Sequence, residues 1–220
     1  MVNTYYYVEK DGRVFLTKKD GVFTFPTSES EMHFPIKIKT EMPFSDFKVF
    51  YCEPELKEFP YEWMLKDNVV LMENVDPIVK RSITKSYPRV VADAIIIKDG
   101  KVLMVKNSRG YMKGTWSIPG GFLTYDESPE EAVKREVKEE TGYDIKVKEL
   151  FRIYKKTFSG SELYVIAIIY LCEISGGKLS FDKTEIADVR FMDLKEAIRK
   201  TGGYFSKKAL EDYKSEISKD

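Results

Sequence analysis

GGFLTYDESPEEAVKREVKEETGY, residues 120–143, is the stretch that decides how this chain reads. It opens on a Pro-Gly-Gly turn at residues 119–121 and a short loop that runs to Glu127. A sharply punctuated helix follows. Ser128 suits the N-cap, Pro129 the first helical position and Glu131 the third, so Ser128 and Glu131 can form a capping box. Gly142 suits the position just past the C-terminus, where a left-handed backbone is easiest without a Cβ. Start and stop signals agree on a helix of about three turns.

At roughly 100° per residue, with Glu136 set at zero, Glu139 falls at about −60° and Glu140 at about +40°. Three carboxylates thus share one arc, flanked by Arg135. Val133 and Val137 lie beside it for packing on a sheet, while Glu131, Lys134 and Lys138 point to solvent. An ordinary acidic helix face would tolerate this, since exposed like charges cost only ~0.2–0.5 kcal/mol per pair. The other reading is a hard-cation site. Clustered carboxylate oxygens suit Mg²⁺, with Mn²⁺ as a substitute, and leave coordination positions for water and substrate phosphates.

Spacing decides between them. Gly121, Glu127, Arg135-Glu136, bulky Val137, Glu139-Glu140, Gly142 and bulky Tyr143 resemble a complete Nudix box, every fixed position filled. The resemblance extends upstream through Trp116-Ser117-Ile118-Pro119-Gly120-Gly121 and covers residues 87–201. It implies an α/β fold, a Nudix-type α/β/α sandwich with a mixed sheet. It also implies Mg²⁺-dependent hydrolysis, by water attack on phosphorus, of a diphosphate linked to another group. In that light Glu136, Glu139 and Glu140 match the family's metal-binding carboxylates. Glu127 has three roles open to it: pairing with Arg135, indirect ligation, or assistance as a base. Arg135 reads as the salt bridge that fixes a carboxylate. Gly120 and Gly121 bring backbone close to metal and phosphate, where a Cβ would intrude. For the general base, Glu185 is the first candidate, with Asp182 and Asp188 as alternatives and a plain solvated acid as the competing reading of each. Tyr111, Trp116, Phe122 and Tyr125 are placed to stack a base, although core packing explains Trp116 equally well.

The resemblance narrows the substrate less than the reaction. Tyr87-Pro88-Arg89 with an added N-terminal region is similar to the NADH pyrophosphatases. That group's zinc ribbon needs four ligands, which two cysteines cannot supply, and its Gln- and Pro-containing downstream signature is absent. The expected substrate is a nucleoside diphosphate derivative such as ADP-ribose or a nucleotide sugar. A nucleoside triphosphate pyrophosphatase and a non-catalytic nucleotide sensor are the alternatives.

Composition bounds the rest. Among 220 residues, 43% are hydrophobic and 14% aromatic, ample for a packed core. Lys+Arg and Asp+Glu balance at 36 each, against an electrostatic nucleic-acid footprint. No run approaches the ~20 apolar residues that span a bilayer, and no basic-then-apolar leader is visible, so a soluble cytoplasmic enzyme is expected. The lone His33 reads as incidental. Gln is absent and a third of the residues are charged, a usage similar to that of thermophile proteins.

Three regions are expected. Residues 1–60 read as a β-rich subdomain: residues 5–8, 13–17, 22–25, 34–39 and 47–51 are short β runs, with Asp11-Gly12 and Asp20-Gly21 as hairpin turns. Residues 61–86 read as a helical connector, and residues 87–220 as the catalytic domain. Residues 5–26 echo residues 95–119: a strand, a Lys-Asp-Gly turn, a second strand, and an aromatic strand ending in Pro. The echo reads either as a degenerate copy of the catalytic scaffold or as two hairpins with the same turn chemistry. Either way Ser28, Glu29, Ser30 and Glu31 stand where a box would be needed. Ten aromatics (Tyr5, Tyr6, Tyr7, Phe15, Phe23, Phe25, Phe44, Phe47, Phe50 and Tyr51) exceed what a small meander buries alone, which points to a homodimer.

Overall fold

Asp-Gly pairs turn the chain back on itself at Asp11-Gly12, Asp20-Gly21 and Asp99-Gly100, each with positive φ at both residues (49° and 75°, 50° and 84°, 52° and 75°). Two successive left-handed residues match the right-handed twist of the strands they join, and Asp followed by Gly tolerates them best. A computed structural model describes residues 3–58, 60–110, 112–158 and 163–218. The chain forms two units: Met1–Pro88 with Thr157–Tyr164, and Arg89–Lys156 with Val165–Asp220.

The first unit contains β1 (Thr4–Lys10), β2 (Arg13–Val14), β3 (Thr17–Lys19) and β4 (Val22–Thr24). A one-turn 3₁₀ helix at Glu29–Glu31 precedes β5 (Ile36–Met42), β6 (Lys48–Pro54), β7 (Met64–Leu65), α1 (Lys66–Val69) and α2 (Pro77–Ser86). The sheet runs β5-β6-β1-β2-β7, and β3 and β4 form a separate hairpin. Strands β1 and β6 are parallel, and the other neighbours antiparallel. The Tyr7 ring stacks on Phe25 at 4.9 Å between centroids, in a core shared with Val14, Val49 and Val69.

The stretch read as a connector is built into this core. Asp76 caps α2 by accepting the Ile78 N–H at 3.0 Å, and the helix buries Ile78, Val79 and Ile83 against Tyr7 and Phe25. Its apolar stripe needs a partner, and the β1–β6 sheet supplies one. Residues 61–65, read as helical, instead end in β7, because Met64 and Leu65 pair with Val14 and Arg13. Val69 closes α1 and seals the core. Of the ten aromatics that suggested a dimer, none is exposed. Within the single chain Tyr7 and Phe25 are buried and the other eight half-buried.

The second unit contains β8 (Arg89–Lys98), β9 (Lys101–Asn107), β10 (Trp116–Ser117), β11 (Gly120–Phe122) and α3 (Pro129–Thr141). It continues with β12 (Tyr143–Phe158), β13 (Leu163–Gly177), β14 (Ile186–Asp193), α4 (Leu194–Lys200) and α5 (Tyr204–Ile217). The order is β12-β13-β8-β9, with β14 and β10 on β9 and β11 on β8. Strand β8 runs parallel to β13 and antiparallel to β9 and β11, so the sheet is mixed and the class α/β. Strand β13, nearly continuous in apolar residues, is interior, as a strand covered on both faces should be. Helix α3 lays Ala132, Val133 and Val137 on Ala92, Ala94, Ile96 and Cys172. Helix α5 buries Phe205, Ser206, Ala209 and Leu210, and its Ser206 Oγ receives the Ile118 N–H at 3.3 Å.

Both cysteines are free and buried, and burial is the main cause that pushes each thiol up to about 12. Thiolate, the reactive form, is then nearly absent at about pH 8. The folded protein is expected to leave Ellman's reagent unreduced, with both thiols reacting once denaturant is added. Reaction of either in the native protein would mean that the unit holding it opens locally.

Candidate active site

Helix α3 is fixed at both ends by its own sequence. Ser128 Oγ accepts the Glu131 N–H at 3.3 Å, and Glu131 Oε2 accepts the Ser128 N–H at 2.8 Å, so the capping box is complete. At the other end Gly142 sits left-handed at φ 76° and donates its N–H to the Lys138 carbonyl at 2.9 Å. A helix pinned at both ends holds the angular positions of its side chains, and here those are the acids.

Arg135 is the hub. Its Nε and Nη2 donate to the two carboxylate oxygens of Glu127 at 3.1 and 2.7 Å, a bidentate clamp across the loop that leads into the helix. Nη1 donates to Glu136 Oε1 at 2.8 Å and to Glu139 Oε2 at 3.2 Å, and Nη2 also reaches the Phe122 carbonyl at 3.1 Å. One guanidinium thus serves three carboxylates and a carbonyl. The clamp, helped by the Thr124 N–H, holds Glu127 down at about 2, and Glu127 first, then Glu136, raise Arg135 against its burial.

The remaining acid, Glu140, turns the other way and accepts the Gly120 N–H at 3.0 Å. A Cβ on Gly121 would lie 2.5 Å from the Glu136 carboxylate carbon, so that acid packs directly on the backbone of β11. Gly120, at φ 150°, adopts a conformation few residues with a side chain share, and its Cβ would fall 2.4 Å from Asp93 Oδ1. Asp93 on β8 was not singled out from sequence. The available signal was one acid inside the apolar run of residues 90–97. Burial, then the Glu136 charge, pushes Asp93 up to about 7. Burial also lifts Glu140 to about 8, opposed by the Gly120 hydrogen bond and reinforced by Glu136, Asp93 and Glu185. Glu136 is raised by burial and pulled back by Arg135.

More negative charge gathers here than one guanidinium neutralises. Among the described residues no three acidic, His or Cys side chains converge as a ready-made metal cage. Arg135 and the Gly120 amide hold the acids instead. The donors are nonetheless all carboxylate oxygens, and glycine stands where a Cβ would collide with Glu136. That chemistry fits a hard divalent cation that keeps several of its waters.

The other candidates are distributed around this cluster. Glu185 is half exposed, pairs with Arg109 and is near enough to Glu140 to raise it. Its loop is tied to residues 108–109 by Ser108 N–H to the Glu185 carbonyl at 2.8 Å and Ser108 Oγ to the Lys183 carbonyl at 3.0 Å. Asp182 accepts the Thr184 N–H at 2.8 Å, which occupies it in its own turn, and Asp188 pairs with Arg190. Beside Glu139 and Asp182 opens a groove of ≈ 630 Å³, also lined by Lys138, Lys178 and Phe181. Trp116 is buried, with the Arg190 guanidinium 5.7 Å from its ring centroid, so its packing role dominates. Phe122 and Tyr125 are exposed and offer ring faces. Tyr111 lies outside the described residues.

A family model of the NUDIX domain matches residues 87–213. An ADP-ribose pyrophosphatase of Methanocaldococcus jannaschii is 38% identical over 122 residues, 53% of this chain and 72% of that protein. An NAD-capped RNA hydrolase of Vibrio atlanticus is 32% identical over 113 residues, half of this chain but 40% of that protein. A NUDIX hydrolase from Nitrosomonas europaea superposes with a TM-score of 0.52 at 26% identity, covering 59% of this chain and 90% of its own. Residues 1–86, most of the first unit, lie outside the region that the family model matches.

Two measurements check the local architecture. Glu127 is lowered in the folded state from 4.5 to about 2, so the clamp's contribution is complete above pH 4.5 and lost as pH falls through about 2. The advantage in Tm of wild type over Glu127→Gln should disappear across that window, and a constant gap would show that the clamp does not depend on the charge. Ser128→Ala should cost about 1 kcal/mol in urea unfolding through loss of the cap.

Proposed function

The chain belongs to the Nudix hydrolases, and on that premise we propose that it cleaves the pyrophosphate bond of a nucleoside diphosphate linked to a second moiety, of the ADP-ribose or nucleotide-sugar type. The observation that carries this reading is the α3 face: Glu136 and Glu139 share one guanidinium while Glu140 rests on the Gly120 amide. The names of relatives favour the same substrate class. ADP-ribose and an NAD cap both present adenosine diphosphate esterified to a second ribose, and relatives named for each align with the catalytic unit.

Nudix hydrolases work with divalent cations, and Mg²⁺ is the proposed one here, replaceable by Mn²⁺. Glu136, Glu139 and Glu140 would hold it. When bound, the cation neutralises the diphosphate and polarises the phosphorus toward attacking water. The protein's own contribution is positional. Arg135 and Glu127 fix the loop and helix relative to each other, which keeps the acids aligned. Gly120 and Gly121 let an anionic substrate approach backbone that side chains would screen. Glu185, across from Glu140, accepts the proton of the attacking water. Phe122 and Tyr125 present the exposed rings for a base.

The assay is product analysis with Mg²⁺ over a panel of ADP-ribose, a nucleotide sugar, NAD-capped RNA and nucleoside triphosphates. AMP with ribose 5-phosphate is the expected outcome from ADP-ribose. Glu139→Gln and Glu140→Gln should each lower kcat by on the order of 10²-fold or more, and Glu185→Gln by about 10²–10⁴-fold. Undiminished turnover in both α3 variants would sink the assignment of those acids. Inorganic pyrophosphate released only from triphosphates would favour nucleotide sanitation, a reading with its own relative, a nucleoside triphosphatase NudI of Enterobacter, 30% identical over 141 residues.

A further inference from the structure

We propose that Asp93 is a further carboxylate of the cation site, reaching the glycine pair from the side opposite α3. The inference rests on the hydrolase reading for its setting and on geometry for its content. Asp93 is held on both flanks, since its backbone pairs with Gly120 of β11 on one side and Ile169 of β13 on the other. Its Oδ1 lies where a Cβ on Gly120 would come within 2.4 Å, while Glu136 occupies the corresponding space at Gly121, 2.5 Å away. The two glycines are therefore sandwiched between a β8 acid and an α3 acid, and Gly120 gives its N–H to a third, Glu140.

What sets Asp93 apart is its lack of a donor. Glu127, Glu136 and Glu139 are served by Arg135, and Glu140 by the Gly120 amide. Among the described residues no group donates a hydrogen bond to the Asp93 carboxylate, and its strand neighbours are Ala92 and Ala94. A half-buried carboxylate without a partner is costly. It is tolerated where a cation or its bound water completes it, and the acids already assigned to the cation lie immediately across the turn.

The test uses full-length protein and Mn²⁺ alone, followed by electron paramagnetic resonance, with thermal unfolding measured in parallel. Asp93→Asn should weaken Mn²⁺ binding by about 10- to 100-fold. The metal-free variant should unfold at the wild-type temperature or higher, because a repelling charge is gone. The upward shift in Tm that Mn²⁺ gives wild type should shrink. Unchanged Mn²⁺ affinity would overturn the proposal. A metal-free variant that fails to fold would also overturn it, since an isosteric amide should serve a purely structural carboxyl site worse than a cation site lacking its cation. Wild type that binds Mn²⁺ yet hydrolyses nothing on the panel would fault the hydrolase reading and leave Asp93 in place.

From a different observation we infer that the first unit is a copy of the catalytic fold that has lost its catalytic helix, leaving one hydrolytic centre per chain. Both sheets share one order, β5-β6-β1-β2-β7 and β12-β13-β8-β9-β14. The parallel register coincides: Val8, two residues before its Lys-Asp-Gly turn, faces Cys52, and Ile96, two residues before its own, faces Cys172. Parallel bridges Phe23–Val75 and Trp116–Thr201 correspond, as do Tyr6 N–H to the Pro26 carbonyl and Ala94 N–H to the Pro119 carbonyl, both 2.9 Å. The buried positions of α2 and α5 match one for one, Ile78, Val79, Ser82, Ile83 against Phe205, Ser206, Ala209, Leu210.

In place of α3 the first unit has only Glu29–Glu31, and Met32, Phe34 and Trp63 close the face over Val8 and Cys52. Tyr5 stands at the Asp93 position, facing Val49 as Asp93 faces Ile169. Acids, glycines and helix are gone together. A Glu139→Gln/Glu140→Gln double variant should therefore lose all hydrolysis and all specific Mn²⁺ binding, while Glu29→Gln/Glu31→Gln keeps wild-type values of both. Residual hydrolysis in the first variant, or loss of Mn²⁺ sites in the second, would overturn the single-centre inference.

Discussion

The catalytic unit depends on a guanidinium shared by more acids than it can satisfy. Arg135 clamps Glu127 with two hydrogen bonds and spends a third nitrogen on Glu136 and Glu139 at once. The clamp holds the entry loop on the helix, and the divided nitrogen leaves the two outer acids with weaker, single contacts. Such a network stays ordered while keeping those acids open to a stronger cation. Removing the arginine would leave its acids to repel one another at a partly desolvated site, the costly case for buried charge.

Close backbone approach is the second constraint. Glu136 and Asp93 press on adjacent glycines from opposite sides, and neither position accepts a Cβ without displacing a carboxylate. This explains why a glycine pair, rather than one permissive residue, links β10 to the loop before α3. It also locates the chemistry. The acids meet beside the middle of β8, the strand flanked there by β11 and β13, so the sheet fixes one wall and the capped helix the other.

Much of this was legible in the chain. Ser128, Pro129, Glu131 and Gly142 announce α3, and the structure returns every one of those signals in its expected place. The Asp-Gly turns and apolar runs marked most strands because local chemistry alone determines them. Residues 61–86 were harder, since helix α2 belongs to a core whose other members lie far upstream, and no local pattern says which core an amphipathic stripe joins. Met64 and Leu65 became strand through pairing with β2, a non-local choice that overrides propensity. Asp93 escaped notice for the same reason: its meaning comes from Gly120 and Glu136, distant in sequence and adjacent only once β11 pairs with β8. The echo between residues 5–26 and 95–119 was visible as turn chemistry, but the matching registers that give it weight exist only in three dimensions.

The central claim is that the α3 acids are a cation site held in readiness by Arg135. A crystal soaked in Mn²⁺ and measured at the manganese edge tests it most directly. The account predicts an anomalous peak among Glu136, Glu139 and Glu140, beside the Gly120–Gly121 backbone, with Arg135 still clamped to Glu127 but withdrawn from at least one of the other two acids. A peak elsewhere, or none there at saturating Mn²⁺ with Arg135 still bridging Glu136 and Glu139, would contradict it.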